Sequence, residues 1–356
     1  MRRSFEGSEV DQLWAPWLLH AGLAPDSASG GLMVPLFAGT THSAGLPIVK
    51  GGQGRFVEAF ERLLQERGVT VRTGVDVDSI IVEGGRAVGI TAGQDSIRAE
   101  RAVLASVTPS TLYNDLLPAT AAPAASRAEA TRYQFGRAAM QIHVALSAPI
   151  VWSESALAGI PLVHLTDGSG STGIACAQAE AGLLPERPTV VVGQQQLLDP
   201  GRTPEGAGLL WLQLQEVPFA PSGDAGGVLD VAHGWNEQLV AGFVERVLDL
   251  VEEQAPGTKL KVLKWVAKSP VDLSRENVNC VAGDPYCGSA ELDQNLIWRP
   301  GPRTSRHKTT VPGLWHIGAA THPGPGLGGG SGHIAAQALI RQGVGRMSKR
   351  RARLPF

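Results

Sequence analysis

Apolar residues recur along this chain at two spacings, and the two divide it. At helical spacing, Phe56, Ala59, Phe60, Leu63 and Leu64 form one stripe across 55–67, closed by Gly68 as a helix stop. Leu239, Phe243, Val247, Leu250 and Val251 form a longer one across 236–254. A short helix is predicted over 8–23, with Ser8 as its cap, Asp11 in the capping-box position, and Leu13, Trp14, Trp17 and Leu18 on its apolar face. Period-two and continuous apolar runs predict strands at 69–72, 75–83, 87–92, 96–99 and 102–106. Gly84-Gly85 supplies a hairpin turn, and Pro109 opens the next helix. Further strands are expected near 139–146, 189–196, 208–216 and 259–267. The stretches 24–46 and 118–130 read as connections rich in small residues and proline. Meander runs of strands alternate with βα steps, so a purely parallel doubly wound sheet is excluded. The order predicts a mixed α/β (α+β) fold, a cofactor layer with an inserted antiparallel sheet.

One segment near the end carries most of the chemistry. Leu314, Trp315 and Ile317 make a strand-like run that stops at Gly318; Thr321-His-Pro-Gly-Pro-Gly326 follows, then Gly328-Gly-Gly-Ser-Gly332 and an Ala/Leu helix. Strand, glycine loop, helix is the arrangement that lets backbone N–H groups approach an anion or a flat cofactor. A Gly/Pro linker has similar composition, but linkers are not bracketed by strand and helix signals.

Composition narrows the field. The chain has 356 residues and a formal net charge of -2. Its isoelectric point is near 6.5 and its mean hydropathy is zero, so no nucleic-acid partner is implied. The exception is a basic tail over 341–356 with Lys349, Arg350, Arg351 and Arg353, suited at most to peripheral contact with an anionic membrane. Cys176, Cys280 and Cys287 show no metal spacing and no even disulfide set, as expected of a reducing cytoplasm. Neither a bilayer-spanning run nor a signal peptide is read.

Together, Pro47-Ile-Val-Lys-Gly-Gly-Gln-Gly54 before a helix, Val77-Asp-Ser-Ile80 after Gly68, the 102–106 strand leading to Thr108-Pro109, and the Gly318…Gly332 loop resemble a known group. They resemble FAD-dependent oxidoreductases of the phytoene desaturase and carotenoid ketolase type, among the amine-oxidase-like flavoproteins. The resemblance implies a partial FAD-binding Rossmann-like layer at 46–115 and 278–340. It also implies an antiparallel-sheet substrate domain at 116–277, with a helical segment of that domain at 1–45. It implies FAD as cofactor, held by Gly51, Gly52, Val77, Gly318, Ala319, Gly329, Gly330 and Ser331. Hydride transfer from a lipophilic, carotenoid-type substrate is the reaction implied. His322, beside the presumed flavin face, is the candidate catalytic residue, able to steer a proton. Lys50 is a candidate phosphate partner, and Asp284 and Arg299 are candidate loop anchors; Trp315 and His316 read as packing.

The family opens with a strand, Gly-x-Gly-x-x-Gly and a helix that hold the pyrophosphate. The front of this sequence has no counterpart. The reading is therefore a truncated oxidoreductase or one completed by a second chain that supplies the βαβ unit. The alternative is an inactive remnant or subunit that binds no FAD alone.

Overall fold

The computed structural model describes residues 5–302, 307–326 and 328–351. Arg353 and the rest of the expected basic tail beyond residue 351 lie outside the described residues. In chain order the helices are α1 (Glu9–Trp14), α2 (Gly30–Ala44), α3 (Gly54–Glu66), α4 (Ala124–Thr131), α5 (Ser169–Glu180), α6 (Glu237–Gln254), α7 (Pro270–Glu276) and α8 (Gly330–Arg351). The strands are β1 (Ser79–Glu83), β2 (Arg86–Ala92), β3 (Asp95–Arg98), β4 (Val103–Ala105), β5 (Ala138–Leu146), β6 (Leu162–Leu165), β7 (Leu183–Leu184), β8 (Val190–Gly193), β9 (Gly208–Val217), β10 (Gly223–Asp224), β11 (Val262–Lys268) and β12 (Leu314–His316). Two compact units emerge: one comprises 1–71 with 137–285, the other 72–136 with 286–356. The changeovers fall later than the sequence boundaries at 45, 115 and 277.

The first unit is built on a five-stranded antiparallel sheet of order β11-β5-β9-β8-β6. Alternation along β5 sends Met140, Ile142, Val144 and Leu146 inward, and β9 does the same with Leu210, Leu212 and Leu214. Helix α6 covers this face: all five residues of its predicted stripe are buried in the same core. Asn236 caps it, its side-chain oxygen accepting from the Leu239 N–H at 2.8 Å. Each such apolar side chain contributes about 1.5–3 kcal/mol on burial.

The second unit holds the meander β1-β2-β3 and a parallel pair, β4 with β12. Leu314, Trp315 and His316 pair in register with Val103, Leu104 and Ala105. Residues 307–309 cover the other edge of β12, through His316 N–H to the His307 carbonyl and Thr309 N–H to the Leu314 carbonyl. The outer edge of β4 pairs with no strand among the described residues, and Leu104 is exposed there.

Several expectations change. The predicted helix 8–23 is α1 followed by a 3-10 turn over Pro16–Ala21, and Ser8 makes no side-chain cap bond. Asp11 instead accepts from the backbone N–H and hydroxyl of Ser169, both at 2.8 Å. Residues 69–78 form no strand; Val69, Val71, Val75 and Val77 are exposed, because a strand pattern needs a neighbouring strand to pair with. Helix α2 forms inside the stretch read as a connection, with Pro35 within it. Helix α4 likewise occupies part of the second connection. Helix α5 was hidden because its buried face, Thr172, Ala175, Cys176 and Ala179, is made of small side chains.

Candidate functional site

The glycine segment forms the turn between β12 and α8 in the second unit. Gly318 follows the strand with φ of +94°, and a Cβ there would stand 3.4 Å from Ser106. Any side chain would therefore be strained in its backbone, with its Cβ in contact with Ser106 beyond β4. Its two backbone groups are held by two hydroxyls. The Gly318 N–H donates to Ser331 Oγ at 3.0 Å, and Thr321 Oγ donates to the Gly318 carbonyl at 2.8 Å. The two hydroxyl oxygens are 2.7 Å apart, so Ser331 donates to Thr321 and closes the cycle. Ser331 lies in the first turn of α8, where the first N–H groups have no intrahelical acceptor.

Two histidines brace this cycle. His316 is fully buried; its Nε2–H donates to the Val107 carbonyl at 2.7 Å, which leaves Nδ1 unprotonated and without a partner. Burial pushes its pKa down to about 4, so it is neutral at ordinary pH. His307, also buried, sits at a left-handed φ of +63° and donates from Nδ1 to the His316 carbonyl at 3.1 Å, with Ser331 Oγ at 3.4 Å. Burial lowers its pKa as well. A bulky residue in that backbone region is strained and persists only where its surroundings fix it.

Arg299 anchors the far side of the loop. Its guanidinium is buried and donates to the carbonyls of Ala319 at 3.0 Å, Ser289 at 2.9 Å and Tyr286 at 2.8 Å. The anchoring role expected for it is thus visible in its hydrogen bonds. His322, the candidate catalytic residue, is half-buried in the same loop, and its Nδ1 donates to the Leu296 carbonyl at 3.0 Å. That bond leaves Nε2 as the ring's proton acceptor.

Gly318, Ala319, His322, Gly329, Gly330 and Ser331 therefore share one turn. Val77 belongs to the same unit, exposed just before β1. Gly51 and Gly52 belong to the other unit, where they precede α3. There the Gly51 N–H is taken by Asp199 Oδ2 at 2.7 Å. Asp199 also accepts from Arg202, whose guanidinium reaches the Val49 carbonyl at 2.6 Å. The Gly51 amide, then Arg202, holds the Asp199 carboxyl below its usual range, and Lys50 adds to this. Asp284 is buried in that unit too. His307 and Thr321 escaped the sequence reading, since neither has a motif spacing of its own. Gly324, Gly326 and Gly329 have the Gly-x-Gly-x-x-Gly spacing just before α8, a sequence signal of this turn.

The residues present fit one end of a flavin cofactor. Gly318 is a cradle that a Cβ would fill, and α8 presents its N-terminus immediately beyond. Among the described residues, no strand, Gly-rich turn and helix unit precedes these elements to take a pyrophosphate.

The chain belongs to the flavin-containing amine oxidoreductase family, whose family model matches residues 2–340. It is 27% identical to the pyridine nucleotide-disulfide oxidoreductase domain-containing protein 2 of Mus musculus, over 93% of this chain and 60% of the mouse protein. It is also 27% identical to hydroxyneurosporene desaturase of Rubrivivax gelatinosus, over 96% of this chain and 60% of the desaturase. Among solved structures, an oxidoreductase from Methanosarcina mazei superposes with a TM-score of 0.60 at 16% identity, covering 95% of this chain and 66% of that one. The chain thus spans 60% of the length of these curated relatives.

Proposed function

We propose that this chain is the substrate-binding and flavin-facing portion of an FAD-dependent oxidoreductase that dehydrogenates a lipophilic, carotenoid-type polyene. The observation that carries this is the hydroxyl-clamped turn at Gly318, in a chain of a flavin-containing family. When bound, FAD would supply hydride acceptance. Ser331 and Thr321 hold the Gly318 backbone, so close approach of a flat ring costs no loop ordering at the moment of binding. The α8 N-terminus offers N–H groups and a positive dipole to a flavin carbonyl or phosphate. His322 Nε2 is available to take or return a proton beside the turn. Similarity to a desaturase supports the polyene substrate class.

A second reading rests on a separate observation. The open edge of β4, with Leu104 exposed, is what a sheet shows where a neighbouring strand is missing. It favours a chain that holds FAD only with a dinucleotide-binding βαβ unit, on a second polypeptide or elsewhere, and that by itself is an inactive subunit. Among the described residues no helix is long and apolar enough to cross a membrane. Any membrane contact in this proposal is peripheral, as suits delivery of a lipophilic substrate.

Mixing the purified chain with excess FAD, desalting, and recording the visible spectrum tests the proposal. A retained flavin band that polyene bleaches under anaerobic conditions supports the leading reading. Absence of flavin from a folded chain, restored when a βαβ-bearing partner is added, supports the second. No flavin under either condition sinks both.

A further inference from the structure

The second unit holds a cavity apart from the glycine turn. A space of about 710 Å³ opens between the 308–315 hairpin, the middle of α8 at Leu339, Ile340 and Gln342, and the β2 end of the meander. It shares no lining residue with the 318–331 turn. Its volume lies within the range of small-molecule sites, roughly 300–1,000 Å³.

Three cations line it, Arg86, Arg101 and Lys308, and among the described lining residues none is acidic. None of the three forms an ion pair with a carboxylate among the described residues. Each is nonetheless held in place. Arg86 donates to the Arg101 carbonyl at 2.8 Å, and its stem lies against Gly313, where a Cβ would come within 3.2 Å of it. Arg101 donates to the Leu339 carbonyl at 3.4 Å. Lys308 bridges Trp315 in the backbone, and its ammonium lies 5.8 Å from the indole centroid. Surface cations ordinarily find a carboxylate or swing free in water. Three that are fixed by backbone and ring contacts around one concavity form a preorganised anion receptor.

The shape defines the class of ligand. Guanidinium groups match phosphate oxygens in two-pronged fashion, and an ammonium adds a point charge. The cavity far exceeds one phosphate, and its remaining wall is partly apolar, with Ile340 exposed at its border. We propose that Arg86, Arg101 and Lys308 form a binding site for the phosphate or diphosphate group of an organic phosphate with an apolar body. The site is separate from the flavin turn and needs no flavin to be occupied.

Calorimetric titration of the purified chain with inorganic pyrophosphate at low salt tests this. The expected result is saturable one-to-one binding with Kd at or below about 1 mM. It should weaken about tenfold or more in Arg101→Gln and in Lys308→Gln, and fall as salt rises. Lys264→Gln, on exposed β11 of the other unit, should leave it unchanged. Thermal melting without ligand verifies that each variant is folded. Co-sedimentation with phosphatidylcholine vesicles, with and without phosphatidic acid, identifies the source of the phosphate. Binding to acidic vesicles that pyrophosphate competes off and Lys308→Gln abolishes assigns the site to a lipid headgroup. Pyrophosphate binding without vesicle binding assigns it to a soluble organic phosphate. Absence of saturable heat, or binding weakened equally by Lys264→Gln, overturns the proposal.

Discussion

Ser331 Oγ receives the Gly318 N–H across the turn, at 3.0 Å, and so ties the first turn of α8 to the end of β12. This single contact fixes where the helix starts relative to the strand. Removing it leaves a backbone donor without its acceptor, in a pocket where Ser331 is only 6% exposed. Ser331→Ala should therefore cost about 1–3 kcal/mol in urea unfolding, with Thr321→Val in the same direction. Both variants should also retain less flavin wherever the parent chain retains any. Unchanged midpoints for both would show that the hydroxyl cycle contributes nothing.

Neighbouring glycines of the same loop should differ sharply. Gly318 has a φ of +94°, which a side chain rarely adopts, whereas Gly328 has no such φ and open space where a Cβ would stand. Gly318→Ala should lose about 1–3 kcal/mol from backbone strain alone. Gly328→Ala should stay within about 0.5 kcal/mol of the parent. Equal effects at the two positions in chemical denaturation would contradict the geometry.

Acid should weaken the fold through histidines that are neutral inside it. His316 drops from an ordinary 6.5 to about 4 through burial. His20 and His164 share an Nε2 to Nε2 contact of 2.8 Å, and burial pushes them down to about 4 and about 3, with mutual repulsion adding to the shift at His164. A lowered folded pKa means that the unfolded chain binds more protons across the interval between the two values. Stability is therefore fully present above about 6.5 and falls as pH drops towards 4, by up to about 3 kcal/mol for His316. Urea midpoints measured down this range should decline, and His316→Gln should flatten part of the slope. A profile level across the interval would refute the assignment.

Asp199 should govern the order of the Gly51 turn. Asp199→Ala removes the acceptor of the Gly51 N–H and the partner of Arg202, which itself holds the Val49 carbonyl. Limited proteolysis should then cut at 49–52 faster than in the parent chain, while the 236–254 helix stays protected. Identical cleavage rates would show that the turn is held by other contacts.

Phe243 reports on the sheet and helix core. It is fully buried on the inner face of α6, with the Trp235 ring edge-on at 5.8 Å. Phe243→Ala should cost about 3–5 kcal/mol in denaturant unfolding. A loss below about 1 kcal/mol would mean that this core collapses around the gap.

Where hydrophobic contrast is high, the sequence by itself determined structure. The α6 stripe, the β5 and β9 alternation and the Gly84-Gly85 hairpin all stand where their periods place them, because large apolar side chains at regular spacing have one way to be buried. The strand, glycine turn and helix at the chain's end were legible for the same reason, with glycine marking the backbone that side chains would block. Low contrast hid α2 and α5: in α2 the apolar residues Leu32, Met33, Val34, Leu36 and Phe37 form one run around Pro35 rather than a stripe, and the buried face of α5 is made of small side chains.

Tertiary structure alone decided the rest. Valines at 69–77 carry a strand pattern, but a strand exists only where another backbone accepts its hydrogen bonds, and no residue of the run records that. Gly51 reads as an open phosphate turn until Asp199, distant in sequence, occupies its amide. The closing of the Gly318 turn by Ser331 and of Ser331 by His307, and the gathering of Arg86, Arg101 and Lys308 about one cavity, depend on proximity that the spacing does not show. Such proximity is set by how the core packs, not by the spacing of the residues that use it.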